Sequence, residues 1–206
     1  MCGLGGVWGG VSIVSAMGYL VWARELAQKV LERPLPRRWE HSQGVGRRAE
    51  ALAPILGKDA DILAASAWLH DIGYAPDLID TGFHPIDGGR YLRDVHGADE
   101  LLCRLVAHHT CAEIEADERG LLDILTAEFP KQRGDLVEAL TFCDMTTSPD
   151  GLPLTVTERL AEIRARYGPE DAVTWTINRA EPCILSAVRA VESRLTSANV
   201  GLGCPA

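Results

Sequence analysis

The chain has 206 residues, 47% of them hydrophobic and 24% charged, enough for one domain with a substantial core. Its formal net charge of -9 excludes a general attraction for nucleic-acid backbones or anionic membranes, although a bound cation could still supply local positive charge for a nucleotide. The six cysteines, Cys2, Cys103, Cys111, Cys143, Cys183 and Cys204, form no C-x-x-C pair and no disulfide framework. Reduced thiols in a cytoplasmic protein are expected, with Cys111 and Cys143 as small buried hydrophobes.

The first charged side chain is Arg24. The glycine-rich run before it has no basic segment and no clean cleavage site, so residues 1–16 are expected to be a flexible extension rather than a signal or membrane anchor. Met17 is an alternative start of translation. From residue 17 to about 33, Leu20, Leu26 and Val30 predict an amphipathic helix ended by PLP. A second helix, about 37–56, carries His41, Val45, Ala49 and Leu52 on one stripe, which turns His41 inward. After the turn LGKDAD, where Asp59 or Asp61 can cap, Ile62, Leu63, Ala67 and Leu69 keep helical spacing up to His70-Asp71. Gly73 and Pro76 stop that helix. Burying a carboxylate beside an imidazole is costly without compensation, and a divalent cation is the natural compensation.

In FHPIDGGRYLRDVHG, Pro85 suits a first helical position, which puts His84 at the helix start and Gly97 at its close. From 98 to about 110, Leu101, Leu105 and His108 fall on one line and Leu102, Val106 and His109 on the next, both on the apolar side. AEIEADERG reads as a loop or frayed turn, and LLDILTAEFP as a short helix stopped by Pro130. Over about 134–147, Leu136, Val137, Leu140 and Thr141 share a face with Asp144. SPDGLP is a turn. TERLAEIRARYG turns Leu160, Ile163 and Tyr167 inward. PCILSAVRAVESRL repeats Ile184, Val188, Val191 and Leu195, and residues 197–206 read as a loose tail. Without repeats or alternating runs, the expected fold is an all-α bundle of about eight helices, its domain spanning 17–196.

Five of the six histidines, His41, His70, His84, His108 and His109, fall on or beside apolar faces, as do Asp71 and Asp144. His96 sits at an exposed-looking helix end. One inward histidine is ordinarily a core residue satisfied by hydrogen bonds; five with two carboxylates are hard to satisfy that way. Seven ligands crowd one ion but suit two if a carboxylate bridges. The expected first ion takes His41, His70, Asp71 and Asp144, the second Asp71, His84, His108 and His109, about 3.5–4 Å apart. His70 and Asp71 are the catalytic centre of this arrangement. A hydroxide held between the ions would attack phosphorus, and a histidine-rich set leans to iron or manganese.

The order His41 … His70-Asp71 … Asp144 resembles the HD superfamily of metal-dependent phosphohydrolases, which are all-α. His84 in HP-x-x-GG and the His108-His109 pair are similar to its binuclear branches, the HD-GYP cyclic-dinucleotide phosphodiesterases and the YqeK-type diadenosine-polyphosphate hydrolases. The resemblance spans roughly residues 41–144 and implies two divalent ions and a nucleotide or other small phosphoester substrate. Tyr74 stands where many relatives have a lysine that approaches phosphate, which leaves phosphate to the metals and to Arg90 or Arg93. HHTCAEIEADERG lacks the long acidic, glycine-rich signature of HD-GYP proteins, which disfavours cyclic di-GMP. Arg37, Arg38, Arg47 and Arg48 flank His41, either to steer an anion or as solvated helix faces. Two alternatives stay open: a di-iron oxygenase resembling myo-inositol oxygenase, cleaving a C–C or C–P bond, and a metal-keeping signalling module without turnover. No nucleic-acid polymer or membrane partner is expected. The helices after Asp144 are expected to pack, to act as a lid or to form a homodimer.

Overall fold

The computed structural model describes residues 16–199, so the expected N-terminal extension and most of the expected tail, with Cys2 and Cys204, lie outside the described residues. Among the described residues there are eleven α-helical segments and no strand beyond one isolated bridge between Thr147 and Pro153. They are α1 (Ala16–Leu31), α2 (Pro36–Ala51), α3 (Ala53–Leu56), α4 (Ala60–Leu69), α5 (His84–Arg90), α6 (Glu100–His108), α7 (Ala112–Glu118), α8 (Leu122–Glu128), α9 (Gly134–Met145), α10 (Val156–Tyr167) and α11 (Ala172–Ser197). No helix among them is long and apolar enough to cross a membrane.

The bundle is built around α4, which is buried from Leu63 to Leu69. Its alanines let α1 and α2 lie close against it, and Gly46 of α2 leaves room for the Trp68 ring, whose Cε2 would lie 2.4 Å from a Cβ there. One side of the core joins α4 to α1, α5, α6 and α8 through Ala23, Leu69, Phe83, Leu102 and Phe129. The other joins it to α2, α9 and α11 through Val45, Leu63, Leu140 and Val191. A third, smaller cluster of Met145, Leu160, Ile163, Ala180 and Ile184 seats α10 and α11 beside the end of α9.

Three elements depart from the sequence expectation. The second helix breaks at Leu52, so residues 53–56 form a separate turn with Pro54 in its first positions. AEIEADERG, expected as a loop or frayed turn, forms the two-turn helix α7, which buries Ala112 and Ala116 and pairs Glu115 with Arg119 one turn on. The last helix begins ten residues before Pro182 and runs through it; Asp171 caps its start by accepting from Val173 N at 2.8 Å. A proline forfeits one helical hydrogen bond, and the helix continues through it with Ala180 and Ile184 buried against Leu160 and Ile163 of α10.

The expectation of reduced thiols is corrected for one pair. Cys111 and Cys183 form a disulfide across 72 residues, tying the segment after His109 to the middle of α11. The fold, not the spacing, brings them together. Cys103 and Cys143 are free and buried.

Candidate metal centre

Four helix ends and the middle of α2 converge on one buried cluster. His41 comes from α2, His70 and Asp71 follow the last turn of α4, and His84 opens α5. His109 follows α6 directly, and Asp144 is next to last in α9. The close approach of α5 to the turn after Asp71 depends on glycine. A Cβ on Gly73 would lie 2.1 Å from the His84 carbonyl oxygen and 2.6 Å from Gly88 N. The loop into α5 is fixed by Asp87, whose carboxylate accepts from Thr81 N (2.9 Å), the Thr81 hydroxyl (2.7 Å) and Gly82 N (3.1 Å).

Backbone carbonyls set the histidine tautomers. His41 Nδ1 donates to Ser148 O (2.9 Å), His70 Nδ1 to Ala67 O (2.8 Å) and His109 Nδ1 to Val106 O (2.6 Å). In the neutral ring each Nε2 then carries a lone pair pointing into the cluster. Those nitrogens face carboxylate oxygens. His41 Nε2 lies 3.0 Å from Asp144 Oδ1 and 4.0 Å from Asp71 Oδ2, and His70 Nε2 lies 3.3 Å from Asp71 Oδ2. Asp71 Oδ1 lies 3.5 Å from His84 Nε2 and 3.9 Å from His109 Nε2, and those two nitrogens are 3.1 Å apart. The buried His70 Nε2 has no hydrogen-bond partner. Acceptors facing acceptors in the interior are what a cation resolves, so the donor set fits metal ions.

Asp71 stands between two such groups. The ligand atoms of His41, His70 and Asp71 lie within 4.8 Å of one another, as do those of Asp71, His84 and His109. Its Oδ2 faces the first pair of rings and its Oδ1 the second. Arg38 anchors it, donating from Nη1 to Oδ2 at 2.6 Å. The Arg38 guanidinium also lies 3.9 Å over the Tyr74 ring, which stacks on His84 at 3.8 Å. Asp144 Oδ2 accepts the Thr110 hydroxyl.

Electrostatics in the metal-free protein follow these contacts. Burial pushes the Asp71 carboxyl up, but Arg38 and His70 outweigh it and hold it well below the usual range. Burial likewise opposes ionisation of Asp144, and the His41 hydrogen bond overrides it downward. Burial lowers His84 and His109, each reinforced by a neighbouring imidazole, so both favour the neutral, ligating form. His70 is the exception: burial would lower it, and Asp71 and Asp144 reverse that.

The structure thus brings together His41, His70, Asp71, His84, His109 and Asp144. It does not bring His108 to them. That ring turns the other way, with Nε2 donating to Phe129 O at 2.5 Å and Nδ1 3.8 Å from Glu113. Arg90 and Arg93 are also elsewhere. Arg90 pairs with Glu128 (2.6 Å) and Asp80 (2.7 Å), Arg93 with Asp94 (2.7 Å), and neither lines the cavity over the cluster. Tyr74 does line that cavity, of about 140 Å³. Residues not singled out by sequence also line it: Thr110, and from α10 Arg159 and Arg166. Arg38, flagged only as one of four flanking arginines, is the one bound to Asp71.

The family model described as the HD domain matches residues 38–145. Among curated proteins the chain is similar to Ribonuclease Y of Clostridium novyi, 30% identical over 130 residues, 62% of this chain and 24% of that protein. It is similar also to Ribonuclease Y of Thermoanaerobacter pseudethanolicus, 29% identical over 130 residues, with 62% and 24% covered. Ribonuclease Y of Rubrobacter xylanophilus is 29% identical over 129 residues, with 61% and 24% covered. The chain spans about a quarter of the length of these curated relatives. No solved structure matches it significantly.

Proposed function

The chain belongs to the HD domain family, and from that premise we propose that it is a metal-dependent phosphohydrolase acting on a nucleotide or another small phosphoester. The observation that carries this reading is the double-faced Asp71, one oxygen toward His41 and His70 and the other toward His84 and His109. His41, His70, Asp71 and Asp144 would hold one divalent ion, and Asp71, His84 and His109 a second, with iron or manganese favoured by the nitrogen-rich set. Ions held there supply Lewis acidity to a phosphoryl oxygen and lower the pKa of water.

The chain's own side chains do the rest. Carbonyl-bound Nδ1 atoms keep three imidazoles from rotating, so the donor set is ready before anything binds. Thr110 holds Asp144, and Arg38, which lines the cavity, holds Asp71 and would offer a further N–H to a phosphoryl oxygen. Tyr74, stacked on His84, walls one side where a lysine was the alternative. The relatives' printed name puts phosphodiesters among the substrates to test, and a net charge of -9 weighs against a long polymer.

Elemental analysis of the purified protein, paired with a phosphoester panel, tests the reading. We expect close to two divalent ions per chain and turnover that a chelator removes and added metal restores. Asp71→Asn should lower metal content and cut turnover by at least about 100-fold. Bound metal without cleavage of any phosphoester on the panel would refute hydrolysis. Oxygen uptake by iron-loaded protein in that case would select oxygenase chemistry instead.

A further inference from the structure

Arg159 of α10 is only 7% exposed, and its Nε is buried without a hydrogen-bond partner. Its Nη1 donates to Glu162 at 2.6 Å, and Arg166 donates from Nε to the same carboxylate at 2.8 Å. Two guanidiniums therefore share one acid, leaving a unit of positive charge uncompensated. An unpaired N–H on a buried cation is costly unless something accepts from it.

Both arginines line the cavity over the cluster and also a neighbouring depression of about 300 Å³, where the start of α2 faces α10. Arg38 borders both spaces too, and Arg37 and His41 add to the second. Among the described residues, no carboxylate lines that depression. Arg37 and Arg38 already have acidic partners in Asp150 and Asp71, so the excess charge sits on α10. A phosphoryl group is the anion that a pair of guanidinium forks accepts best.

We propose that this depression is a second anion subsite, taking a phosphoryl group other than the one cleaved, so that the substrate is a small phosphoester carrying at least two phosphoryl groups. The proposal rests on the phosphohydrolase reading for the cleaved group. The two guanidiniums that would hold the group do not come from the family's shared segment: Arg159 and Arg166 lie beyond residue 145, where the HD match ends. They are positioning residues, and they set which phosphoesters fit.

The metal-loaded full chain is assayed on the dinucleotide ApA and on pApA, which differs by one terminal phosphate. We expect kcat/KM for pApA to exceed that for ApA by at least about tenfold, and the ratio to approach one in Arg159→Met and Arg166→Met. Arg166, with its side chain 31% exposed, keeps the test usable if Arg159→Met does not fold. Calorimetry with tripolyphosphate and inorganic phosphate gives a readout without turnover; the affinity ratio should fall about tenfold in the same variants. A pApA-to-ApA ratio near one in the unaltered protein, or ratios that neither variant moves, overturns the subsite. If neither dinucleotide is hydrolysed, the phosphoester panel decides the phosphohydrolase reading, and the tripolyphosphate ratio alone then decides the subsite, standing if it falls and lost if it does not.

Discussion

His108 and His109 are adjacent in the chain and face opposite ways. α6 ends at His108 and His109 turns extended, with ψ of 153°, so the second ring swings to the cluster while the first stays against Phe129. His109→Ala should therefore lose about one metal ion per chain, whereas His108→Gln should keep the full complement; equal losses by elemental analysis would contradict this assignment. Gly73 is the second sensitive position. Gly73→Ala puts a methyl against the backbone of α5, and we expect at least about 1–3 kcal/mol of destabilisation in urea, with weaker metal retention, because rigid main chain cannot yield as a side-chain tip does. His41, His109 and Asp144 were legible as inward positions on helical stripes, and His70, Asp71 and His84 by their places at helix ends. What the stripes do not encode is where a helix stops, and one residue of helix end separates His108 from His109. Nor does a stripe mark Arg159, whose role depends on what lies across the cavity from α10.

At the level of elements, the arginines expected near phosphate instead clamp helices together. Arg90 at the end of α5 and Arg93 in the wide π turn after it both reach Glu128 at the end of α8. The Arg90 hydrogen bond, helped by Arg93, holds the Glu128 carboxyl below its ordinary value. A carboxyl held low in the folded chain contributes its full stability above the unfolded value and loses it as pH falls through the folded one. Glu128→Gln should thus lower the melting temperature at pH 7 yet flatten its decline between about pH 5 and pH 3. Parallel acid-melting curves for the two proteins would argue against the clamp. The sequence offered these arginines for phosphate in place of the lysine that Tyr74 replaces, while the acidic partner that claims them lies 35 residues or more away. The boundaries of α7 and α11 were hidden for a related reason: few apolar residues mark the first, and a proline interrupts the second, yet tertiary contacts stabilise both.

At the scale of the whole molecule, the all-α class was readable because every strong apolar pattern had helical period and none alternated. The covalent link was not readable, since only the packing of α11 beside the cluster brings Cys183 to Cys111. Closing a loop of this length restricts the unfolded chain by up to about 4 kcal/mol, so Cys183→Ser should melt roughly 10 °C lower than the oxidised protein. Reductant should lower the original to the same point and leave the variant unmoved. The loop contains α7 to α10 and the first half of α11, hence Arg159, Arg166 and Asp144. A protease that cuts the turn at residues 148–153, where Leu152 is exposed, would leave two pieces still joined. On a denaturing gel they would travel as one band until a thiol is added, and the nicked molecule would keep both walls of its cavity on a single covalent skeleton.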